Sequence, residues 1–268
     1  MPDVYAQITT ADPAVVAVLI NAMELRAADP RQKAIRHSFF SSIDFPERAR
    51  VLEGGCGSGP ISRELARWPG VNEVVGLDPS PIFLAKAREL AADIPNLNFV
   101  EGDARSLPHE DNSFDVVIFH TCLTHVPGPE KALTESLRVL RPGGCLAIFD
   151  GDYATTTVAI GDHDPLQDCV DAAMAALVND RWLTRRLPLL AKSAGFVVEK
   201  FDSYGYAQIA APDYMLTLVD RGADILAGWK RLDKALGDGL KHEARRRVET
   251  GEFFGFIAFA GLIARKSA

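Results

Sequence analysis

The sequence is short of most features that mark a specialised chain. Its 4 cysteines (Cys56, Cys122, Cys145, Cys169) are scattered over 268 residues, and no CxxC or HExxH spacing occurs. That excludes a disulfide scaffold and gives no reason to expect a zinc site, so a reducing cytoplasm is the default location. Positive charge is also scarce: Lys+Arg 29 against Asp+Glu 36 gives a formal net charge of -7. Affinity for nucleic acid rests on cationic neutralisation of phosphates, so no nucleic-acid partner is expected. The longest apolar stretch, Phe253–Ala264, has 12 residues and two glycines, against the ~20 needed to span a bilayer. No membrane span is expected. The opening Met1-Pro2-Asp3-Val4-Tyr5 has neither a basic nor an apolar leader region, so no signal peptide is expected. Internal repeats, low-complexity tracts and long Gly/Ser linkers are absent from the sequence.

What remains is an ordinary globular composition, 47% hydrophobic and 24% charged, at a length suited to one domain with insertions. Strand-like runs alternate with helical patterns through the middle of the chain, which predicts an α/β fold with a mostly parallel sheet. Arg50–Glu53 reads as a first strand entering Gly54-Gly55-Cys56-Gly57-Ser58-Gly59, and Pro60 starts a helix to about Trp68. Glu73–Leu77 is the second strand; Ser80-Pro81 caps and opens the helix that follows, to about Ala92. Leu97–Glu101 and Phe114–Phe119 are the third and fourth strands. Leu133, Leu137 and Leu140 fall on one face of a helix over Glu130–Leu140, which Arg141-Pro142-Gly143-Gly144 stops. Cys145–Asp150, Val197–Ser203 and Phe253–Ala264 are the remaining strands. Helical stretches are expected at about Pro165–Asn179 and Thr184–Ala194, in a polar segment over Pro212–Thr250, and before the first strand, where Asp12-Pro13 begins a helix.

The glycine loop carries the first chemical signal. A glycine-rich turn between a strand and its helix brings backbone N–H groups and a helix N-terminus against a ligand. The dinucleotide fingerprint G-x-G-x-x-G fails here, because its third glycine falls on Pro60; E-x-G-x-G-x-G fits, with Glu53, Gly55, Gly57 and Gly59. Asp78 ends the second strand, where a carboxylate can accept both hydroxyls of a ribose. Asp103 follows the third strand, where a carboxylate can accept from an adenine amino group. Any one of these is more often a solvated loop residue. Together, at successive strand ends, they place one nucleoside across the carboxyl edge of the sheet.

In order, Val51–Gly59, Gly76-Leu77-Asp78-Pro79-Ser80, Glu101-Gly102-Asp103-Ala104, Phe114-Asp115-Val116-Val117 and Leu140–Gly144 resemble the motifs of class I S-adenosylmethionine-dependent methyltransferases. The nearest likeness is to the small-molecule branch that includes ubiquinone and menaquinone biosynthesis methyltransferases, the type 11 kind. The likeness is strong over about residues 48–150 and rests on pattern alone for the last two strands. It implies a Rossmann-like seven-stranded sheet of order 3-2-1-4-5-7-6, its last strand antiparallel, with helices on both faces and a helical cap. It divides the single domain 1–268 into an N-terminal cap (1–48), a cofactor half (49–150) and a substrate half (151–268) with a helical insertion at about 205–252. S-adenosyl-L-methionine is the implied cofactor, with S-adenosyl-L-homocysteine as product. Glu53, Gly55 and Gly57 would hold the methionine end, Asp78 the ribose, and Pro79 the adenine face. Asp103 and the Ala104 N–H would read the base edge, and Phe119 and His120 would line the pocket near the methionine carboxylate. Gly54 departs from the family, which more often has a branched apolar residue there, and is expected to loosen the strand end.

The resemblance leaves the acceptor open, and methyl transfer by in-line displacement needs little beyond positioning. His120 and Asp150 are the candidate catalytic residues, since His120 follows the fourth strand and Asp150 lies at the end of the fifth, at the same edge. His125 reads more readily as part of a turn before Pro127, and Arg245-Arg246-Arg247 as a solvated helix face. The expected activity is methyl transfer to a small-molecule acceptor. The alternative is a protein of the same fold that binds the cofactor for another reaction or as a gated binding module. A nicotinamide dehydrogenase is disfavoured by Pro60 and Asp103.

Overall fold

The computed structural model describes residues 5–268, the side chains of Ala6 and Gln7 excepted; Met1–Val4, on which the signal-peptide expectation falls, lie outside the described residues. After a short 3-10 turn at Tyr5–Thr10 come two helices, α1 (Pro13–Ala28) and α2 (Pro30–Phe40). Each opens on an Asp-Pro pair: the carboxylate of Asp12 accepts from the Ala14 N–H, and that of Asp29 from the Gln32 N–H. The proline then fills the first helical position, where its missing N–H costs nothing.

The sheet follows, alternating with helices: β1 (Ala49–Gly54), α3 (Pro60–Leu65), β2 (Val71–Asp78), α4 (Pro81–Leu90), β3 (Leu97–Glu101), β4 (Phe114–His120), α5 (Pro129–Val139) and β5 (Leu140–Thr157). The chain continues through α6 (Pro165–Leu177), α7 (Leu187–Ser193), β6 (Phe196–Gln208), α8 (Asp213–Gly228), α9 (Lys234–Glu249) and β7 (Gly255–Lys266). The strands form a seven-stranded sheet of order β3-β2-β1-β4-β5-β7-β6. Pairing is parallel from β3 to β5, and β7 runs antiparallel to both β5 and β6. Strands buried on both faces carry near-continuous apolar runs, as in Phe114–His120 of β4. One core lies on each face. Val51, Val116, Ile118, Ala147 and Phe149 point to one side with Phe39 and Phe40 of α2; Leu52, Val117, Phe119, Leu146 and Ile148 point to the other with Leu133 of α5.

The second half differs most from expectation. β5 does not stop at Asp150; it runs on to Thr157 because Gly151, Asp152 and Thr157 find partners in Phe259, Ala258 and Phe256 of β7. β6 likewise reaches Gln208, so the helical insertion begins after 208, and Tyr206 is a buried core residue. The insertion is two helices, divided before Asp233, whose carboxylate caps α9 through the Leu236 N–H. α8 lies directly on α6: a Cβ on Gly222 would stand 1.7 Å from the Cys169 carbonyl oxygen, so only glycine permits the crossing.

The arginine run on α9 is committed to internal pairs. Arg245 meets Asp220 at 2.7 Å, Arg246 meets Glu243 at 2.7 Å, and Arg247 meets buried Asp164 at 2.5 Å.

Candidate functional site

The site is built at the carboxyl edge of β1, β2 and β4, where strand ends in an open α/β sheet leave a crevice. β1 ends in Gly54, and the loop turns immediately: the Gly55 and Cys56 N–H groups both donate to the Leu77 carbonyl, at 2.7 and 3.0 Å. Gly55, Gly57 and Gly59 all have positive φ, a conformation open to glycine at no steric cost. The Asp78 carboxylate ties the loop to the neighbouring helix, accepting from the Gly57 N–H at 2.9 Å and from the Ser80 N–H at 2.9 Å.

Gly54 does not loosen the strand. A Cβ there would stand 2.3 Å from Phe119 Cε1, so the Phe119 ring occupies the space of the missing side chain. The same fact corrects the expectation for Phe119. Successive residues of a strand face opposite sides of the sheet, so adjacent Phe119 and His120 cannot both line one pocket. Phe119 is 1% exposed and belongs to the core beneath the loop; His120 faces the crevice.

The crevice is a cavity of about 130 Å³. Its floor is Glu53, Gly55, Cys56 and Gly57; one wall is Asp78, Pro79 and Phe83, and the other is His120, Thr121, Cys122 and Val126. Its roof comes from the N-terminal segment, through Tyr5, Ile8, Met23 and Arg26, with Gln32 and Arg36 from α2. The roof sits close: a Cβ on Gly57 would lie 2.6 Å from Met23 Sδ. An adjoining cavity of about 200 Å³ shares Gly55, Pro79 and Cys122 with the first and carries Asp103 and Ala104. Of the sequence candidates, then, Glu53, Gly55, Gly57, Asp78, Pro79 and His120 meet in one cavity, and Asp103 and Ala104 stand in the next.

Their electrostatics are set by burial. Glu53, 1% exposed, accepts a hydrogen bond from the Ser62 hydroxyl, yet loss of water pushes its carboxyl up to about 8. Burial also raises Asp78, to about 6, against two backbone hydrogen bonds that favour its ionised form. Asp103 is held below its ordinary value by Arg105, whose Nη2 lies 2.6 Å away. His120 is 7% exposed and stacks on Phe149 at 4.8 Å between ring centroids. Burial, then the nearby Arg26 and Arg36 charges, hold it well below 6.5, so the imidazole is neutral. Among the described residues neither of its ring nitrogens has a hydrogen-bond partner, and the same is true of Gln32 Nε2. Two buried polar groups left unsatisfied around one cavity suit a site for a polar ligand.

Asp150 is elsewhere. It is fully buried, lines none of these cavities, and accepts from the Thr124 N–H, the Thr124 hydroxyl and the Gly151 N–H at 3.1, 3.0 and 2.9 Å. Both oxygens hold the Leu123–His125 turn. The structure therefore does not bring Asp150 together with the candidates that line the cavities. Sequence reasoning also missed the contributions of α1 and α2. One signal was present: Arg26 is the single basic residue of the apolar helix Pro13–Ala28.

Comparison with known proteins agrees with this geometry. Residues 52–148 match the family described as "Methyltransferase domain". Demethylmenaquinone methyltransferase of Staphylococcus aureus is 34% identical over 129 residues, 48% of this chain and 54% of that protein. Sterol 24-C-methyltransferase of Saccharomyces cerevisiae is 33% identical over 145 residues, 48% of this chain and 38% of that one. The chain spans about half the length of the curated relatives it matches. Among solved structures, YcgJ protein of Bacillus subtilis superposes with a TM-score of 0.60 at 20% identity, covering 87% of this chain and 99% of that chain. Among the described residues, no helix is long and apolar enough to cross a membrane. Domain match, strand order and glycine-loop geometry agree in likening residues 52–148 to class I S-adenosylmethionine-dependent methyltransferases of the type 11 kind.

Proposed function

We propose that this chain moves a methyl group from S-adenosylmethionine to a small-molecule acceptor, releasing S-adenosylhomocysteine. The observation that carries the reading is the pairing of two acids with two unsatisfied polar groups around one cavity: Glu53 and Asp78 on the floor and wall, His120 and Gln32 opposite. An amino-acid zwitterion attached to a ribose has the matching groups. In this reading Glu53 takes the amino group and Asp78 the ribose hydroxyls. Gln32 and His120 face the carboxylate, and Pro79, Asp103 and Ala104 hold the base in the adjoining cavity. Arg105 already engages both Asp103 oxygens, so a base amino group has to share that carboxylate.

When bound, the cofactor supplies a methyl group on a sulfonium, open to displacement from the side opposite sulfur. The chain's own work is positional. The loop's backbone approach and the Met23–Gly57 contact fix the donor's depth, and the tight roof excludes water. Neutral His120 donates or accepts without adding a positive charge beside a cation. Orientation of this kind is worth on the order of 7–11 kcal/mol for well-aligned reactants.

Calorimetric titration with S-adenosylmethionine and S-adenosylhomocysteine, followed by a radiolabelled-methyl assay against small-molecule extracts, tests the reading. Saturable binding of both compounds and label in an extractable product are expected. Binding of NAD with no binding of either compound overturns it.

A further inference from the structure

A second cavity lies behind the roof of the first and shares Tyr5, Met23, Arg26 and His125 with it. Its far walls come from elements remote in sequence: Tyr153 from β5, Met174 and Leu177 from α6, and Tyr214, Leu218 and Arg221 from α8. It is small, about 60 Å³, and among the described residues no acidic side chain lines it. Arg26 stands on the shared wall. Its Nη2 donates to the Thr121 hydroxyl at 2.6 Å, and the Tyr214 phenol stands nearby.

Both groups are neutral. Among the described residues neither Arg26 nor Arg221 forms an ion pair, whereas Arg36, Arg63 and Arg247 each meet a carboxylate at 2.6 Å or less. Asp150 acts on Arg26 only through its field, because its oxygens are taken up by Thr124 and Gly151. The phenols around Arg26 keep their protons: burial raises the Tyr153 hydroxyl well above its ordinary value and raises that of Tyr214. A desolvated guanidinium beside neutral oxygens, in a cavity lined otherwise by aromatic and aliphatic side chains with His125, Thr217 and Arg221, is an incomplete ion pair. The missing half is an anion small enough to enter with its apolar body against Met174, Leu177 and Leu218.

We propose that this cavity is the acceptor subsite and that it selects small organic carboxylates with a compact apolar body, Arg26 binding the carboxylate and Arg221 reinforcing it from α8. The proposal rests on the reading of the first cavity as the methyl donor's site, since Arg26 stands on the wall between the two. An anion there is attracted by Arg26 and by a cationic donor on the other side, and a neutral or cationic analogue by neither.

The test uses propionate and its uncharged isostere propionamide, titrated calorimetrically into the full chain with and without saturating S-adenosylhomocysteine. Propionate is expected to bind at least about tenfold more tightly than propionamide. Arg26→Gln should bring the ratio to within about twofold, Arg26→Lys should keep part of it, and Arg221→Gln should reduce it. Melting curves of each variant show whether the fold is intact. Equal binding of the two probes to the wild-type chain overturns the proposal, as does no binding of either, or an undiminished preference in folded Arg26→Gln. Failure of the donor reading is separate: S-adenosylhomocysteine then does not bind, and the titrations made without it decide the carboxylate preference by themselves.

Discussion

The Phe119 ring stands where a side chain at Gly54 would have to go, with Cε1 and Cδ1 at 2.3 and 2.9 Å from the position of a Cβ. The two residues share one volume at the junction of β1, β4 and the glycine loop. Gly54→Val should therefore destabilise the fold by roughly 1–3 kcal/mol through overpacking. Phe119→Ala should cost about 3–5 kcal/mol through the cavity it leaves. Gly54→Ala combined with Phe119→Leu should cost less than the sum of the two single changes, because each relieves the other. Urea unfolding of the single and double variants measures the coupling; strict additivity contradicts the shared volume.

Glu53 links the site to pH. Its carboxyl stands at about 8 in the fold against an ordinary 4.5, so the folded chain keeps a proton that the unfolded chain gives up. The stability this proton contributes is fully present below about 4.5 and is lost as pH rises through about 8. Ligand-free melting temperatures should fall across that window, and Glu53→Gln should flatten the slope. A cation bound beside Glu53 favours its ionised form, so donor binding should release protons near pH 7. Calorimetry in buffers of different ionisation enthalpy reads that release directly.

His120 offers the opposite separation, between stability and binding. His120→Phe keeps the stack on Phe149 and removes two nitrogens that have no partner within the chain. Replacing unsatisfied polar atoms by apolar ones of similar shape is neutral or stabilising. The melting temperature should hold or rise, while affinity for S-adenosylhomocysteine falls by about 1–3 kcal/mol, the worth of a hydrogen bond to a charged group. A variant that melts lower and binds normally would place the imidazole in the scaffold alone.

Asp150 should behave as a brace. Asp150→Asn sets an amide N–H against the Thr124 and Gly151 donors, at a cost of about 1–3 kcal/mol. The pH profile of turnover should keep its shape, because Asp150 lines none of the three cavities around the site. A shifted profile in a folded variant would return Asp150 to the reaction.

The Arg247–Asp164 pair ties α9 to the start of α6, with side chains 9% and 3% exposed. Arg247→Met leaves Asp164 buried without its cation and should cost about 3–5 kcal/mol, measured by thermal or urea unfolding. Arg245→Met removes a more exposed partner and should cost under about 1 kcal/mol.

The parallel half was legible because its constraints are local. Glycines mark the turns of the loop after β1, and an aspartate or serine marks several of the caps, so Gly55, Gly57, Asp78 and the Asp12 and Ser80 caps could be read directly. Errors arose where a partner lies far along the chain. Nothing within Gly151–Thr157 announces that β7, about a hundred residues later, extends β5 past Asp150. Phe119 failed for a nearer reason: strand alternation separates it from His120, and the resemblance treated the two as neighbours in one pocket. Arg26, Gln32 and Arg36 carry no motif, because their place over the glycine loop comes from how α1 and α2 pack.

The strand order has a consequence for how the chain reaches its final form. β6 sits at the edge of the sheet and β7 lies between it and β5, so the seventh strand in chain order is the one that joins the two. Until Gly255–Lys266 has left the ribosome, β6 has no neighbour in the sheet and the far part of β5 has none on that side. α6 and α8, which wall the second cavity, are made before the strand that fixes the sheet they pack on. The parallel part, β1 to β5, can therefore assemble early, on contacts already available to it. The part that walls the second cavity waits for the twelve residues Gly255–Lys266, and ribosome-bound chains stopped before Gly255 should protect the first part from protease and leave the second open.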